Sequence, residues 1–335
     1  MAKLILVTGG AGFIGSNFVR YVLAHRPDVR VVNLDCLSYS GNMDNLVGLD
    51  AARHRFVRGD IADAAVVRPL VRECDAIVHF AAESHVDRSI SDAGPFIRTN
   101  VVGTQVILDA LLDAKKAGLH RRMVHVSTDE VYGALPLDRP DLSFTETTPL
   151  DPRSPYAASK ACSDLLCRAY EHTHHLDIVI TRCSNNLGPR QFPEKVIPLF
   201  VTNLMRGLQV PLYGDGLNVR DWLHVDDHCA AVLTVLEKGR TGEVYNVGGD
   251  NERSNLELTH AILGLMGKDE SSIKPVADRP GHDRRYSVDA SKLKAELGWR
   301  PVKSAWPGAL EDTIRWYHDN RSWWERVLSG AYRAP

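Results

Sequence analysis

The sequence has no long apolar run, no basic cluster and few cysteines. No uninterrupted apolar segment approaches the ~20 residues needed to span a bilayer, and Leu4–Val7 is too short for a signal-peptide core. The formal net charge is −2 and there is no lysine or arginine run, which argues against a nucleic-acid or membrane surface. The six cysteines form no C-x-x-C pair, so reduced thiols in a cytoplasmic protein are expected.

Short apolar runs alternate with helical patterns through the first half of the chain. A helix is predicted to start near Phe13, and the apolar runs are KLILVT, VRVVNLD, HRFVRGD, DAIVHFA, MVHVST and LDIVITR. This alternation is typical of βαβ units and of a parallel sheet that is buried on both faces. The sequence therefore predicts an α/β protein with a Rossmann-type, doubly wound parallel sheet.

Glycine and proline cluster after about residue 183, which indicates a second, smaller unit of mixed α/β structure. The predicted division is 1–183 for the larger domain and mainly 184–335 for the smaller one. The segments DWLHVDDHCAAVLTVL and EVYNVGG have the pattern of a further helix and strand, so residues 219–248 are expected to return to the main sheet. A last helix is predicted from about Ser304 to Asn320.

A glycine-rich turn follows the first predicted strand and opens the first predicted helix. In TGGAGFIG, Gly9, Gly12 and Gly15 allow a tight turn in which backbone amides and the helix N-terminus approach a pyrophosphate. Asp35 ends the second strand, where a carboxylate would accept hydrogen bonds from ribose hydroxyls and repel a 2′-phosphate. NAD is therefore the predicted cofactor of the larger domain. The alternative is a strand–helix turn without a ligand, with Asp35 as a turn residue.

Further cofactor contacts are expected where later strands end, since parallel strands present their carboxyl ends at one edge of a sheet. Asp60 and Ile61 follow the third strand and are placed to flank an adenine. The fourth strand ends with Phe80, Ala81, Ala82 and Ser84, which are expected near the cofactor.

Tyr156 and Lys160 lie four residues apart, near the start of a helix with Ser154 as N-cap and Pro155 in its first turn. Positions i and i+4 share one helix face. The neighbouring ammonium, together with the nicotinamide charge, is expected to lower the pKa of the phenol, so that tyrosinate can take a proton from a sugar hydroxyl. The alternative is a surface pair on an amphipathic helix.

Several motifs together resemble the extended short-chain dehydrogenase/reductase family over nearly the whole chain. TGGAGFIG, STDEVYG and SPYAASK carry this resemblance. Within the family the sequence is most similar to the dTDP-glucose 4,6-dehydratases, through AAESHVDRSI, STDEVYG, PYAASKA, FPEKVIPLF, GDGLNVRDWLHVDDH and RPGHDRRY. The resemblance implies an NAD-dependent lyase whose substrate is the nucleotide sugar dTDP-glucose and whose product enters deoxysugar biosynthesis.

The resemblance also implies the chemistry. Tyr156 would take the proton of the C4 hydroxyl as hydride passes to NAD⁺, while Thr128 hydrogen-bonds the C4 oxygen. Glu130 would then remove the acidified C5 proton, and protonated Asp129 would give a proton to the departing C6 hydroxyl. Hydride returns to C6, so there is no net redox change. Without the surrounding motif, an Asp-Glu dipeptide after a strand is read as a solvated turn.

The remaining site residues are implied by resemblance alone. Lys160 would hold the nicotinamide ribose, and the other cofactor contacts are Phe13, Ile14, Ser38, Thr99 and Asn186. The diphosphate and nucleoside would meet Arg220, Asn255, Arg279, His282 and Tyr286. The base pocket would include Glu194, Lys195, Pro211 and Tyr213, and the sugar would meet Ser84 and Asn185.

One position departs from the family pattern. The usual Asn-Asn-Tyr-Gly-Pro is here Asn185, Asn186, Leu187, Gly188 and Pro189, so a polar contact near the cofactor or substrate is expected to be lost. No metal is expected. His224 and His228 are predicted to flank a helix capped by Asp226, and His172, His174 and His175 to cap the end of the Tyr156 helix.

Two other functions and an assembly are also considered. A 4-epimerase needs hydride removal and return at one carbon, for which Thr128 and Tyr156 suffice without the acid pair. A non-catalytic NAD-binding sensor would be indifferent to Tyr156→Phe. Long helices at about Pro95–Ala117 and Tyr156–His174 are expected to pair across a two-fold axis as in family dimers, giving a homodimer through a four-helix bundle.

Overall fold

The computed structural model describes residues 2–278 and 281–333. The strands in these ranges are β1 (Leu4–Thr8), β2 (Arg30–Asp35), β3 (His54–Arg58), β4 (Ala76–His79), β5 (Arg122–Thr128), β6 (Asp177–Cys183), β7 (Asn185–Leu187), β8 (Val210–Tyr213), β9 (Val219–His224), β10 (Val244–Val247), β11 (Glu252–Ser254) and β12 (Ile273–Val276). The α-helices are α1 (Phe13–His25), α2 (Ala64–Glu73), α3 (Val86–Ser91), α4 (Gly94–Phe96), α5 (Thr104–Lys116), α6 (Pro155–His174), α7 (Val196–Met205), α8 (Val225–Lys238), α9 (Asn255–Leu265), α10 (Ser291–Leu297), α11 (Gly308–Asp319) and α12 (Arg321–Ser329).

The main sheet has the strand order β10-β6-β5-β4-β1-β2-β3, and every neighbouring pair is parallel. Its strands are the apolar runs singled out in the sequence, with EVYNVGG supplying β10, so the predicted doubly wound α/β sheet is confirmed. The order reverses between β1 and β4, which is where the carboxyl ends of the strands leave a crevice in such folds.

Both faces of this sheet are covered by apolar side chains, because successive residues of a strand point to opposite faces. On β1, Val7 packs with Phe18 and Val22 of α1 on one face. Leu6 lies on the other face, with side chains from α2, α5 and α6. Burial on both faces explains why the strands read as continuous apolar runs instead of alternating ones.

A smaller unit follows β6. A three-stranded sheet in the order β11-β9-β7 and the parallel pair β8–β12 are joined with α7, α9, α11 and α12 around a third apolar core. The segment 219–248 is divided between the two units, since β9 lies in the small sheet whereas β10 pairs with β6 in the main sheet. This crossing places the end of β9 beside the crevice of the main sheet.

Two helix predictions need correction. The helix expected at about Pro95–Ala117 consists of α4, a π-helical segment at Ile97–Gly103, and α5. The helix expected to be the last stops at Asp319, and α12 follows it, because Asn320 leaves the helical conformation with φ −114° and ψ 42°. None of the helices in the described ranges is long and apolar enough to cross a membrane. All six cysteines are free thiols.

A buried polar network lies behind the helix that carries Tyr156 and Lys160. Asp164 on α6 is fully buried and accepts a hydrogen bond from Arg182 Nε at 2.8 Å, with His125 Nε2 3.3 Å away. Arg182 also donates to the hydroxyl of Tyr132 at 2.9 Å. Burial opposes ionisation of Asp164, but His125, Arg182 and Lys160 together lower its pKa to about 2. Asp164 therefore carries a charge in the core.

Asp164→Asn should lower the free energy of unfolding at pH 7 by about 3–5 kcal/mol, because the Arg182 charge then lacks its counter-ion in the core. A carboxyl whose pKa is depressed in the folded state contributes stability above its unfolded pKa and loses it as pH falls through the folded value. The difference between variant and wild type should therefore shrink as pH falls from about 4 to about 2. Urea unfolding over this range measures it.

The matched control is Asp312→Asn, which removes an exposed Asp–Arg pair with Arg315. It should cost about 0.5 kcal/mol or less. An equal cost for the two variants would show that the Asp164 network contributes no special stability.

Candidate active site

A cleft of about 340 Å³ runs along the carboxyl ends of the main-sheet strands. It joins most of the residues predicted for the cofactor, the chemistry and the sugar: Gly9, Gly12, Phe13, Ile14, Gly15, Asp35, Ser38, Asp60, Ile61, Phe80, Ala81, Ala82, Ser84, Thr99, Thr128, Asp129, Glu130, Tyr156, Lys160, Asn185, Asn186, Glu194 and Lys195. Its volume is in the range of small-molecule sites. The structure thus brings together residues from both units.

Two glycines of the loop at the start of the cleft have room for backbone only. Gly9 has φ +73°, and a Cβ there would lie 2.6 Å from the amide nitrogen of Ala81. A Cβ on Gly15 would lie 2.2 Å from the carbonyl oxygen of Gly9. These close approaches let α1 begin directly against the sheet, with its N-terminal amides facing the cleft.

Asp35 ends β2 and is 8% exposed. Its Oδ2 accepts a hydrogen bond from the amide of Ala11 in the glycine loop at 2.9 Å, and its Oδ1 accepts one from the amide of Leu37 at 2.8 Å. Burial raises the pKa of this carboxyl, and the two amides oppose that shift. The carboxylate thus joins the glycine loop to the loop after β2 while it lines the cleft, with acceptor capacity remaining on each oxygen.

The acid pair begins a short 3₁₀ helix, Asp129–Tyr132, immediately after β5. Thr128 caps this helix, since its hydroxyl accepts a hydrogen bond from the amide of Glu130 at 3.3 Å and donates one to Asp129 Oδ1 at 3.2 Å. Asp129 is 2% exposed, and its Oδ2 has no hydrogen-bond partner among the described residues. The Asp-Glu dipeptide is therefore not a solvated turn.

The pKa of Asp129 is raised well above its usual value, mainly by burial and further by the charge of Glu130. Arg220 opposes the shift but does not reverse it. A neutral carboxyl can donate a proton or a hydrogen bond at pH 7, which a carboxylate cannot. The raised pKa of Asp129 thus favours the protonated form that the predicted elimination would use.

Tyr156 is positioned by the start of α6. Ser154 caps the helix by accepting a hydrogen bond from the amide of Ala157 at 3.1 Å, and Pro155 occupies the first turn, as predicted. The phenol is 8% exposed and faces the cleft. Its pKa is raised well above the usual value by burial and by Glu130, while a hydrogen bond with Thr128 lowers it.

The prediction that Lys160 and the nicotinamide charge together lower the pKa of Tyr156 stays a prediction, because in the chain without a cofactor this pKa is raised. The ammonium of Lys160 donates to the carbonyl oxygen of Val126 at 2.9 Å, and burial lowers its own pKa. Burial of the phenol and the nearby carboxylate outweigh any effect of this ammonium. A further positive charge in the cleft is needed to favour tyrosinate.

Similar proteins share this architecture. The family model for GDP-mannose 4,6 dehydratase matches residues 6–307. The chain is 53% identical to a dTDP-glucose 4,6-dehydratase of Streptomyces niveus, over 97% of this chain and 96% of that protein. It is 56% identical to the dTDP-glucose 4,6-dehydratase DesIV of Streptomyces venezuelae, solved with NAD and dTDP bound, which superimposes with a TM-score of 0.92 over 97% of this chain and 99% of that one.

The chain belongs to the dTDP-glucose 4,6-dehydratase family. The resemblance predicted from the motifs is thereby confirmed. A UDP-glucose 4-epimerase of Thermus thermophilus, solved with NAD, is more distant at 31% identity and a TM-score of 0.85, over 95% of this chain and 99% of that one. The dehydratases and this epimerase thus share a fold.

The nucleotide is predicted to bind on the smaller unit. Arg220 on β9 stacks over the ring of Tyr286 at 4.2 Å and donates to the carbonyl oxygen of Asp283 at 3.0 Å. The charge of Glu130 raises the pKa of Tyr286, though less than burial does. The Arg220–Tyr286 pair therefore lies within electrostatic reach of the acid pair.

The other predicted substrate residues are spread around this region. Lys195 donates to the carbonyl oxygen of Ser84 at 3.2 Å, and Glu194 pairs with Arg88 at 3.2 Å. Asn255 begins α9, and His282 lies 2.7 Å from a carboxylate oxygen of Asp278. Pro211 and Tyr213 belong to β8 and are not among the residues that line the cleft. Arg279 lies outside the described residues.

Leu187 does not border the cleft, although the family pattern predicted a position near the cofactor or substrate. It is fully buried in the apolar core of the smaller unit, with Ile197, Phe200 and Trp222. Its neighbours on β7, Asn185 and Asn186, line the cleft instead. The loss of a polar contact at position 187 stays a prediction, and the structure places the leucine itself in the core.

The histidines also differ from their predicted roles in one respect. His224, not Asp226, caps α8, since its Nδ1 accepts a hydrogen bond from the amide of Asp226 at 3.1 Å. His228 Nδ1 lies 2.9 Å from Asn186 Oδ1. His175 ends α6 in the left-handed conformation, with φ 50°. Among the residues described, no group of three or more His, Cys, Asp or Glu side chains could hold a metal ion.

Some cleft residues were not named from the sequence. The loop after β2 contributes Tyr39, and the segment between β7 and α7 contributes Phe192. Tyr39 follows Asp35 closely in the sequence, so it belongs to the loop at the carboxyl end of β2, where cofactor contacts are expected. Phe192 lies in the FPEKVIPLF motif, which was assigned only through Glu194 and Lys195.

Proposed function

We propose that the chain removes water from dTDP-glucose across C5 and C6, giving dTDP-4-keto-6-deoxy-glucose, with NAD as a cofactor that remains bound. The observation that carries this proposal is the acid pair. Asp129, buried and with a pKa raised by burial, lies next to Glu130 and in the same cleft as Tyr156. An epimerase needs no such pair. Membership of the dehydratase family supports the same assignment.

The residues of the cleft fit NAD. The crowded positions at Gly9 and Gly15 leave backbone amides facing the space where a pyrophosphate would lie, and Asp35 supplies a carboxylate for the ribose hydroxyls. Lys160 would hold the nicotinamide ribose. When bound, NAD accepts hydride from C4 and later returns it to C6.

The chain's own residues perform the proton transfers. Tyr156 takes the proton of the C4 hydroxyl, with Thr128 holding the C4 oxygen. Once C4 is a carbonyl, Glu130 removes the acidified proton from C5. Asp129 gives its proton to the C6 hydroxyl, which leaves as water. Burial of Asp129 keeps this proton in place until the C6–O bond breaks. When C6 has received hydride, C5 takes up a proton that has exchanged with solvent at Glu130. The proton held by Tyr156 returns through solvent to Asp129.

Gly15→Ala and Gly12→Ala should separate stability from cofactor binding. A Cβ on Gly15 meets backbone atoms at 2.2 Å and 2.8 Å, so Gly15→Ala should lower the free energy of unfolding by about 3 kcal/mol. A Cβ on Gly12 meets Gly9 O at 3.4 Å, so Gly12→Ala should change stability by about 0.5 kcal/mol or less. Because Gly12 lines the cleft, its methyl group should still weaken NAD binding. Urea unfolding measures the change in stability, and NAD titration measures the change in affinity. If Gly12→Ala bound NAD as tightly as the wild type, the pyrophosphate would have to lie elsewhere.

Product analysis tests the proposed reaction. Incubation with dTDP-glucose and NAD should give a nucleotide product lighter by one water, with one solvent deuterium at C5 when the reaction runs in D₂O. A product of unchanged mass without deuterium at C5 would indicate a 4-epimerase. Absence of any product with cofactor present would contradict both activities. Running GDP-, UDP- and CDP-glucose in parallel measures the preference for thymine.

We also propose a homodimer that uses the exposed apolar side chains along the predicted bundle helices. Ile97 and Val102 on the π-helical segment and Leu165 on α6 are between 41% and 53% exposed. Light scattering should give twice the chain mass. Leu165→Asp should produce monomers, whereas Leu208→Asp, at an exposed leucine after α7, should not. A wild-type monomer would contradict this assembly.

We place the enzyme in the cytoplasm, where free thiols remain reduced. Cys36 and Cys162 are exposed free thiols. Fractionation of cells that produce the protein tests this location, and recovery outside the cytoplasm would contradict it.

A further inference from the structure

The segment Arg321–Arg333, which we call the clamp segment, lies against residues 36–45, which we call the cofactor loop. The clamp segment contains α12 and a short 3₁₀ helix, Ala331–Arg333. Three hydrogen bonds join the two segments: Trp323 Nε1 to Asn45 Oδ1 at 3.0 Å, Arg326 Nε to Asp44 Oδ2 at 2.9 Å, and the Tyr332 hydroxyl to the carbonyl oxygen of Tyr39. The loop is thus held from outside at Tyr39 and at its Asp44–Asn45 end.

One of these contacts continues to the glycine loop. Asn45 accepts from Trp323 through Oδ1, and its Nδ2 donates to the carbonyl oxygen of Ala11 at 2.9 Å. Asn45 is 2% exposed, so water does not compete for this pair of bonds. A side chain of α12 is therefore connected through one residue to the turn that is proposed to hold the pyrophosphate.

A second contact joins the two walls of the cleft. The ring of Phe192, from the smaller unit, meets Tyr39 edge-on at 5.7 Å and Tyr332 at 6.0 Å. Tyr39 and Phe192 line the cleft, and Tyr332 is 8% exposed beneath them. Tyr332 thus contacts the wall that belongs to the main sheet and the wall that belongs to the smaller unit.

The third contact is weaker. Arg326 is half exposed, and Asp44 is about one-third exposed, so this ion pair is screened by solvent. The connection between the segments therefore rests on Trp323 and Tyr332.

We propose that the clamp segment sets how fast NAD leaves the enzyme, with Trp323 and Tyr332 as positioning residues for the cofactor loop. This inference rests on the proposed function. Release of NAD requires the cofactor loop to move away from the glycine loop or from Phe192. Either movement breaks a contact with the clamp segment. Slow release serves a reaction in which the same cofactor molecule must take up hydride and then return it.

Release of radiolabelled NAD from the loaded enzyme tests the proposal, with excess unlabelled NAD as chase. Tyr332→Phe removes one donor and keeps the ring, and Trp323→Phe removes one donor and keeps an aromatic side chain. Each should speed release about 3-fold, and the double variant about 10-fold. Trp324→Phe is the matched control, because Trp324 Nε1 donates to the carbonyl oxygen of Tyr317 within the smaller unit. It should leave the release rate within about 2-fold of wild type.

The outcomes distinguish a failure of the proposal for the clamp segment from a failure of the proposed function. Failure of the wild-type enzyme to hold NAD would contradict the proposed function itself. If wild type holds NAD and the double variant releases it at the wild-type rate, the clamp is overturned. Equal acceleration by Trp324→Phe would also overturn it, because general loosening would then explain the effect. If the double variant does not fold, as judged by thermal unfolding, the conservative Tyr332→Phe alone decides.

Discussion

Replacing both Asp129 and Glu130 by their amides should slow the loss of water about 10³- to 10⁴-fold, because the elimination then lacks both its base and its acid. Oxidation at C4 should persist, since Tyr156 and Thr128 are intact. The measurements are the rate of appearance of the 4-keto-6-deoxy product and the absorbance of the reduced cofactor that accumulates with dTDP-glucose.

The single variants separate the two roles. Glu130→Gln should abolish exchange of the C5 hydrogen with solvent deuterium, because no base remains to remove that proton. Asp129→Asn should retain exchange while product formation falls about 10²-fold or more, since only departure of the hydroxyl is impaired. Exchange lost in Asp129→Asn and kept in Glu130→Gln would reverse the assignment of base and acid.

The chain provides a close control for these variants. Asp269 and Glu270 form another Asp-Glu dipeptide at the start of a 3₁₀ helix, but they are exposed on the smaller unit. Their double amide variant should dehydrate at the wild-type rate. A comparable loss of activity there would mean that the effect at 129 and 130 comes from altered charge in general.

Tyr156→Phe should slow turnover about 10³-fold, because the C4 hydroxyl then has no base in contact. The raised pKa of the buried phenol also sets a pH dependence. A base with a raised pKa is mostly protonated at neutral pH, so kcat/KM should rise with pH in the wild type. The residual activity of Tyr156→Phe should lack this rise. A pH–rate profile of both proteins measures it.

Tyr170→Phe is the matched control on the same helix. Its hydroxyl donates to Asp109 at 2.6 Å instead of facing the cleft. This variant should keep the wild-type rate and pH profile. If kcat/KM of Tyr156→Phe still rose with pH, another group would have to be the base at C4.

The fold could be predicted because its signals are local. Each main-sheet strand is a short apolar run, and burial on both faces requires such runs. The glycine loop was equally readable, since the crowding at Gly9 and Gly15 leaves no room for a side chain. The end of the helix near Asn320 was predicted, but α12 after it was missed, because apolar spacing alone does not show that a second helix starts directly after the first.

The electrostatics of the site could not be predicted in the same way. The i, i+4 spacing places Lys160 on the same helix face as Tyr156, but the pKa of the phenol depends on burial and on Glu130, which comes from another element. The burial of Leu187 is set by packing of the smaller unit, which the family pattern does not show. The contact between Tyr332 and Tyr39 joins residues 293 positions apart, which no local pattern reveals.

The two hydrogen bonds of Asp35 affect the entropy change on cofactor binding. Its carboxylate ties the glycine loop to the loop after β2 through bonds that need no ligand. A preorganised site loses little conformational entropy on association, so more of the contact energy remains as affinity. We therefore expect NAD to dock with small backbone shifts in this region, as one rigid body against another.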